Sequence, residues 1–300
     1  VYNTINPDDP IDVINMSLGS DYGNPDDPSA IASQNAAEAG VVVVAASGNA
    51  GHTPYITSSP AIAPDAISVA ASQAAGVEYL QVQVNAPEEA LYDAQPAAFG
   101  EELPGDPGLS GEIVVADPLL ACFDDPSDPT EELNNAADID GDIVLVQRGE
   151  CEFSDKVLRA QISGAAAVIV YNNDTSPPIT MAAGVNADAV TIPSVMIGLE
   201  DGEQLNEWAA TGTAEVTISA DITTTKPEFD DTMAGFTSQG PGFGHVFKPE
   251  ITAPGVSVYS AGVGTGDRAV PSSGTSMATP HVAGVAALLR EQYPDLPVDG

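Results

Sequence analysis

Short apolar runs separated by polar turns predict strands in the first part of the chain. Residues 11–16 and 41–46 are mostly apolar, the pattern of strands that are covered on both faces. Between them, Pro28 can open a helix that ends at Gly40, where glycine tolerates the left-handed conformation. The order strand, helix, strand is typical of a right-handed parallel crossover. We therefore expect an α/β fold built on a parallel sheet.

The pattern changes after a third apolar run at residues 66–71. Acidic loops rich in proline and glycine fill residues 88–142 and alternate with short strands such as 113–115. Apolar patterns typical of strands and helices then follow. We predict strands at 143–146 and 167–170 and helices at 154–163 and 200–210.

A helical pattern follows the sequence GTSMATPHVAG at residues 274–284, where apolar residues recur at helical spacing. Pro280 is tolerated only near the start of such a helix, where N–H groups lack an intrahelical partner. This places Ser276 at or just before the first turn. The helix dipole and the free amides there suit a nucleophile whose reaction develops a negative oxygen. An isolated Gly-x-Ser would more simply be an N-cap.

The carboxyl ends of the first two strands are residues 17–19 and 47–49. Ligand sites of open α/β sheets gather at such ends. Asn49 offers a side-chain N–H₂ donor on a glycine-flanked turn, a group that can stabilise a tetrahedral oxyanion. An asparagine beside glycine is also a common turn residue.

Composition narrows the classes of function. Seven basic residues against 44 acidic ones give a formal charge of −37, which repels nucleic acid and anionic lipid. We expect a strongly solvated surface suited to a saline environment, with calcium sites as the alternative. At 43% hydrophobic residues, the chain can bury a sizeable core. No apolar run approaches the roughly 18 residues needed to span a membrane.

The cysteines are Cys122 and Cys151. In a cytosolic protein they would be free thiols, and in a secreted one they would be bridged. The chain starts at Val1 without a signal-peptide pattern. We expect both ends to be cuts in a longer protein.

The string at residues 274–284 resembles the nucleophile motif of the subtilisin-like serine proteases, and residues 235–241 and 248–255 resemble segments that precede it in that family. The resemblance implies a subtilisin-like three-layer catalytic domain. In it Ser276 is the nucleophile and Asn49 the oxyanion-hole donor. The substrate-binding positions that it implies are Ser17, Leu18, Gly19, Ala46, Ser47, Gly48 and Thr275.

Residues 141–153 and 164–173 resemble the protease-associated domain, a small β-rich module. The resemblance implies three segments. Residues 1–77 form the first part of the catalytic domain, 78–221 form an inserted α+β module, and 222–300 form the second part of the catalytic domain. The resemblance favours a role of the inserted module in substrate selection, with gating of substrate access, holding of partners and mere packing as the alternatives.

The family's aspartate and histidine have no match in this sequence. The His-Gly-Thr-His type of box is absent, and His52, His245 and His281 stand in other contexts. Asp140-Gly141 comes nearest to the family's Asp-[Ser/Thr]-Gly pattern but precedes a strand of the inserted module. We expect both residues to lie upstream of this sequence and the 300 residues alone to be inactive.

The resemblance thus implies a secreted serine endopeptidase that acts on proteins or peptides by Ser-His-Asp acyl transfer. Its chemistry needs no cofactor, and structural calcium and the protein's own propeptide are implied for the longer protein only. Residues 138–142 alternate carboxylates as calcium loops do, but lack the distal glutamate. We expect an acidic turn there and assign no metal ligand. The alternative function is an inactive secreted relative that binds proteins through its inserted module.

Overall fold

A computed structural model describes residues 11–125, 129–212, 214–262, 266 and 269–294. The strands in chain order are β1 (Val13–Met16), β2 (Val42–Ala46), β3 (Ile67–Ser72), β4 (Glu78–Ala86), β5 (Ala90–Pro96), β6 (Leu109–Val115), β7 (Ile143–Gln147), β8 (Ala167–Tyr171), β9 (Ser194–Ile197), β10 (Glu215–Thr225), β11 (Ile251–Pro254), β12 (Val258–Ala261) and β13 (Ala269–Ser272). The α-helices are α1 (Pro28–Glu38), α2 (Phe153–Ile162), α3 (Leu199–Ala209) and α4 (Thr275–Gln292).

The chain divides into two compact units. The first comprises residues 1–77, 226–258 and 272–300, and the second comprises 78–225 and 259–271. The sequence assigns residues 222–300 to one segment, so the two-stranded sheet of β12 and β13 groups differently from that expectation. The outer limits of the expected domains, residues 1 and 300, lie outside the described residues.

The first unit contains a four-stranded sheet in the order β1-β2-β3-β11. Every neighbouring pair in this sheet is parallel, so the predicted parallel sheet is confirmed. β2 is buried along its whole length, as its unbroken apolar run predicts. Met16 lies opposite Ala45, so β1 and β2 end at the same edge of the sheet.

Successive side chains of β2 point to opposite faces of the sheet. Because both sets are apolar, each face can pack against a helix. Val43 packs in one apolar cluster with Ala37 of α1. Val44 packs in another with Ala278 and Ala283 of α4. The unit therefore has three layers, with the sheet between α1 and α4.

The second unit is a closed barrel in the order β10-β4-β5-β9-β8-β7-β6. The strands from β6 to β9 run parallel, and the other pairings are antiparallel. Leu205 of α3 packs against barrel residues that include Ile169 and Ile197. The first and last strands pair with each other, and Glu78 lies opposite Thr225. The segment from residue 78 to residue 225 therefore begins and ends at neighbouring positions in the barrel.

A disulfide joins Cys122 to Cys151 within the second unit, so the alternative of two free thiols is wrong. It spans a sequence separation of 29 residues, and closing such a loop stabilises a fold by roughly 3–4 kcal/mol on the chain-entropy account. The fully buried Lys156 lies beside it. Its Nζ donates to the Leu120 carbonyl oxygen at 2.6 Å and lies 3.6 Å from Cys122 Sγ. Desolvation by burial lowers the pKa of Lys156 to about 8.

Candidate active site

Ser276 is the second residue of α4, which begins at Thr275. It therefore lies in the first turn, where the sequence predicts it. Its hydroxyl donates a hydrogen bond of 3.2 Å to the carbonyl oxygen of Ser17, just beyond the end of β1. The side chain thus lies at the edge of the sheet where parallel strands gather ligand sites.

Pro280 departs from the sequence expectation. It lies inside α4 beyond the first turn, not among the amides that lack an intrahelical partner. A residue there would normally donate its N–H to the carbonyl oxygen of Ser276, but proline has no N–H. The Ser17 hydroxyl donates to that oxygen instead, at 2.7 Å. The expectation that Pro280 is tolerated only near the start of the helix was wrong, because the Ser17 side chain supplies the hydrogen bond that Pro280 cannot donate.

Asn49 follows β2 and is hydrogen-bonded to the start of α4. Its Oδ1 accepts from the amide of Thr275 at 2.9 Å and from the Thr275 hydroxyl at 3.0 Å. Because a backbone N–H can only donate, the atom that faces it must be the oxygen. The Nδ2 group is then turned toward Gly274, where an added Cβ would lie 3.4 Å from it. The same Cβ position lies 3.6 Å from the amide nitrogen of Ser276, so the two nitrogen atoms border the same point.

Thr275 joins the end of β2 to the start of α4. The residue is fully buried, and its hydroxyl oxygen also accepts from the amide of Gly48 at 3.3 Å. Gly48 has a φ of +110°, and an added Cβ would lie 2.6 Å from the Oγ of Ser238. Only glycine fits this position without displacing a neighbour.

A cavity of about 360 Å³ opens beside these groups. Its described lining residues are Leu18, Gly19, Asp21, Ala46, Gly48, Asn49, Ser58, Thr275 and Ser276. Ser17 of the predicted set bonds to Ser276 without being part of this lining. Ser47, also predicted to bind substrate, is fully buried and does not belong to the described lining either. The other predicted positions meet at the cavity.

Asp21 and Ser58 line the cavity but were not predicted from the sequence. Ser58 lies close to Gly19, where an added Cβ would meet its Oγ at 2.7 Å. A glycine at a strand end can signal such a close approach, but not by which residue. Asp21 lies in an irregular turn after Gly19, where no periodic pattern shows the direction of a side chain.

No histidine belongs to the described lining of the cavity. His281 Nδ1 lies 2.9 Å from the carbonyl oxygen of Met277 on the same helix. His245 Nδ1 lies 3.4 Å from the hydroxyl of Tyr55, and His52 is exposed. Among the described residues, the partner of the Ser276 hydroxyl is therefore a carbonyl oxygen, which cannot take its proton.

In the part of the chain that the structure describes, no three or more His, Cys, Asp or Glu side chains are grouped so that they could hold a metal ion. Within the same residues, no helix combines the length and apolar character needed to cross a membrane.

Comparison with known proteins shows to which family this chain belongs. The model of the subtilase family, peptidase S8, matches residues 1–299. This chain belongs to the subtilase family. The resemblance of residues 274–284 to the nucleophile motif of subtilisin-like proteases is thereby confirmed at the level of the family.

Relatives of this subtilase chain carry protease names. It is 33% identical to the PI-type proteinase of Lactococcus lactis subsp. cremoris, over 93% of this chain and 15% of that protein. It is 30% identical to the minor extracellular protease Vpr of Bacillus subtilis (strain 168), over 97% of this chain and 34% of that protein. The chain thus spans about a third or less of the length of these relatives.

Among solved structures, the subtilase chain is similar to the psychrophilic subtilisin-like protease Apa1 from Pseudoalteromonas sp. AS-11. The two are 19% identical, and the match covers 96% of this chain and 62% of that one with a TM-score of 0.36.

Proposed function

We propose that the longer protein that carries this chain is a secreted subtilisin-like serine endopeptidase that hydrolyses peptide bonds of proteins. The observation that carries the proposal is the hydrogen bond from the Thr275 amide to Asn49 Oδ1. This bond holds Asn49 against the first turn of α4 and turns its N–H₂ away from Thr275, toward Gly274. A hydroxyl and an amide donor so arranged suit acyl transfer through an oxyanion intermediate.

In the proposed reaction, Ser276 Oγ attacks the scissile carbonyl carbon, and a histidine takes its proton. The carbonyl oxygen becomes an oxyanion that accepts hydrogen bonds from Asn49 Nδ2 and the Ser276 amide. The histidine then protonates the leaving amine, and water hydrolyses the acyl-enzyme by the same route. Residues 17–19, at the end of β1, align the substrate backbone as an added strand.

The histidine and the aspartate that orients it are proposed to come from residues outside this sequence. The sequence holds neither of the family's two boxes, and the described site brings no base to Ser276. A serine hydroxyl is a weak nucleophile without an adjacent base. The 300 residues alone should therefore show no useful peptidase activity.

Labelling by a fluorophosphonate tests this function, because the reagent requires an activated serine. The full-length protein should be labelled, and Ser276→Ala should abolish labelling. Ser273→Ala, at an exposed serine nearby, should leave it unchanged and serves as the control. Absence of labelling in folded full-length protein would favour the alternative of an inactive relative that binds proteins through its inserted module.

Residues 78–221 are proposed to be an inserted protease-associated domain that selects protein substrates. The closed β-rich barrel with two helices supports this assignment. The disulfide and the charge of −37 support secretion, since disulfides persist in oxidising compartments. A propeptide and structural calcium remain proposals for the full-length protein. A variant without the insert should cleave short peptides normally but discriminate poorly between folded proteins, as parallel assays would measure.

A further inference from the structure

The cavity beside Ser276 carries a negative charge. Among its described lining residues, Asp21 alone has an ionisable carboxylate, and none is lysine or arginine. The lining also includes the apolar residues Leu18 and Ala46 and the buried Ser58, whose hydroxyl donates to the Ala46 carbonyl oxygen at 2.9 Å. A long side chain with a cationic end fits such a lining, because its stem can contact apolar atoms while its charge meets the carboxylate.

The turn that carries Asp21 is held on both sides. Ser20 and Ser59 exchange two backbone hydrogen bonds of 3.0 Å, and the amide of Gly23 donates to the carbonyl oxygen of Thr57 at 2.9 Å. An added Cβ at Gly23 would lie 2.4 Å from the amide nitrogen of Ser59, so the two segments are in close contact. Asp21 is therefore fixed to the same segment that supplies Ser58 to the cavity.

The Asp21 carboxylate is available to a ligand. The side chain is exposed, and it takes no part in the ion pairs Arg159–Glu131 and Lys248–Glu250 of the described residues. A carboxylate without a cationic partner attracts a cation brought by a ligand. The overall charge of −37 adds a long-range attraction for cations.

We propose that this cavity selects a lysine or arginine side chain and that Asp21 determines this specificity. The inference rests on the proposed function, since it assigns the selected side chain to the residue on the acyl side of the scissile bond. Because the carboxylate is exposed to water and to salt, the selectivity is modest. We expect about 2–5-fold preference for a cation over its neutral isostere at low ionic strength.

Binding of small probes tests the charge preference without any catalysis. Benzamidine is a cation, and benzamide is a neutral molecule of nearly the same shape. Calorimetry on the full-length protein should give a Kd for benzamidine about 2–5-fold below that for benzamide. Asp21→Asn and Asp21→Ser should both remove most of the difference, leaving only the part due to the overall charge. Asp26→Asn, at an exposed aspartate of the same turn region outside the described lining, should keep it.

Cleavage tests the same preference during catalysis. Peptides that differ only in arginine or citrulline before the scissile bond should differ about 2–5-fold in kcat/KM, mainly through KM. This ratio should fall toward one in Asp21→Asn and in 1 M salt. Protein that cleaves neither peptide but still prefers benzamidine would refute the peptidase function and support the charge selectivity. Equal binding of the two probes by the unmodified protein, or an unchanged preference in both Asp21 variants, would overturn the proposal.

Discussion

Ser17 and Ser276, 259 residues apart in the sequence, exchange two hydrogen bonds. The Ser17 hydroxyl donates to the Ser276 carbonyl oxygen at 2.7 Å, and the Ser276 hydroxyl donates to the Ser17 carbonyl oxygen at 3.2 Å. The first bond replaces the one that Pro280 cannot donate. The end of β1 therefore holds the first turn of α4 in place, together with the proposed nucleophile.

Ser17→Ala should lower the free energy of unfolding by about 1–2 kcal/mol, because the Ser276 carbonyl loses its donor. Pro280→Ala restores an N–H that can reach the same oxygen. In the Pro280→Ala background, Ser17→Ala should lower the free energy of unfolding by about 1 kcal/mol less than it does in the unmodified protein. Urea unfolding of the four proteins in this double-mutant cycle measures the coupling, and strictly additive effects would contradict this account of Pro280.

If the proposed function holds, Asn49→Ala in the full-length protein should lower kcat by about 10²–10³-fold with little change in KM, the loss that removal of one oxyanion donor causes in subtilisin. Asn49→Asp is the informative companion variant. It keeps an oxygen that can accept the hydrogen bond from Thr275, but it has no N–H₂ group. If Asn49→Asp retains the original kcat, Asn49 has only a structural role.

Gly48→Ala should destabilise the fold by more than the roughly 1 kcal/mol that a positive φ alone costs a non-glycine residue. The added Cβ would lie 2.6 Å from Ser238 Oγ and would disturb the bond from the Gly48 amide to Thr275. Gly40→Ala is the matched control, since Gly40 has a φ of +91° and open space around its Cβ position. Thermal unfolding should show the larger loss for Gly48→Ala. Equal losses of stability in the two variants would mean that the close contact with Ser238 adds no destabilisation.

The stability of the fold should rise with pH above about 8 because of Lys156. Its pKa is about 8 in the folded chain, against an ordinary value of 10.5. Between these values the unfolded chain binds a proton that the folded chain has released. The free energy of unfolding therefore increases with pH in this window, by up to about 1.4 kcal/mol per pH unit.

Lys156→Met should remove that contribution, which the difference in urea unfolding between pH 7.5 and 9.5 measures. Working below pH 10 limits interference from Tyr92 and Tyr171, whose pKa values burial raises. Lys226→Met, at a partly exposed lysine, should keep the slope. A slope unaffected by Lys156→Met would show that other groups cause it.

The sequence predicted elements best where both faces of a strand are covered. β2 and β8 are buried along their whole length, so each appears as an unbroken apolar run. β10 was not predicted. Val216 and Ile218 are buried near its start, but its second half is polar and largely exposed. Its pairing with β4 and β6 depends on residues far away in the sequence.

The same limit applies to the candidate site. Asn49 and Ser276 were identified because each lies in a short motif beside a predicted element. The contact of Ser17 with the carbonyl of Ser276, and the positions of Asp21 and Ser58 at the cavity, depend on segments that meet only in the folded chain. The misplacement of Pro280 has the same origin, because its missing hydrogen bond is replaced from outside its own helix.

The pairing of Glu78 with Thr225 has a consequence for how the segment between them could be inserted into a gene or deleted from it. Two residues that face each other across adjacent strands are already as close as the ends of a tight hairpin. Cutting out everything between them and closing the gap with a two-residue turn would demand no stretching of the flanking chain. A module with coincident ends can thus be gained or lost in one genetic event while the host protein keeps its own connections.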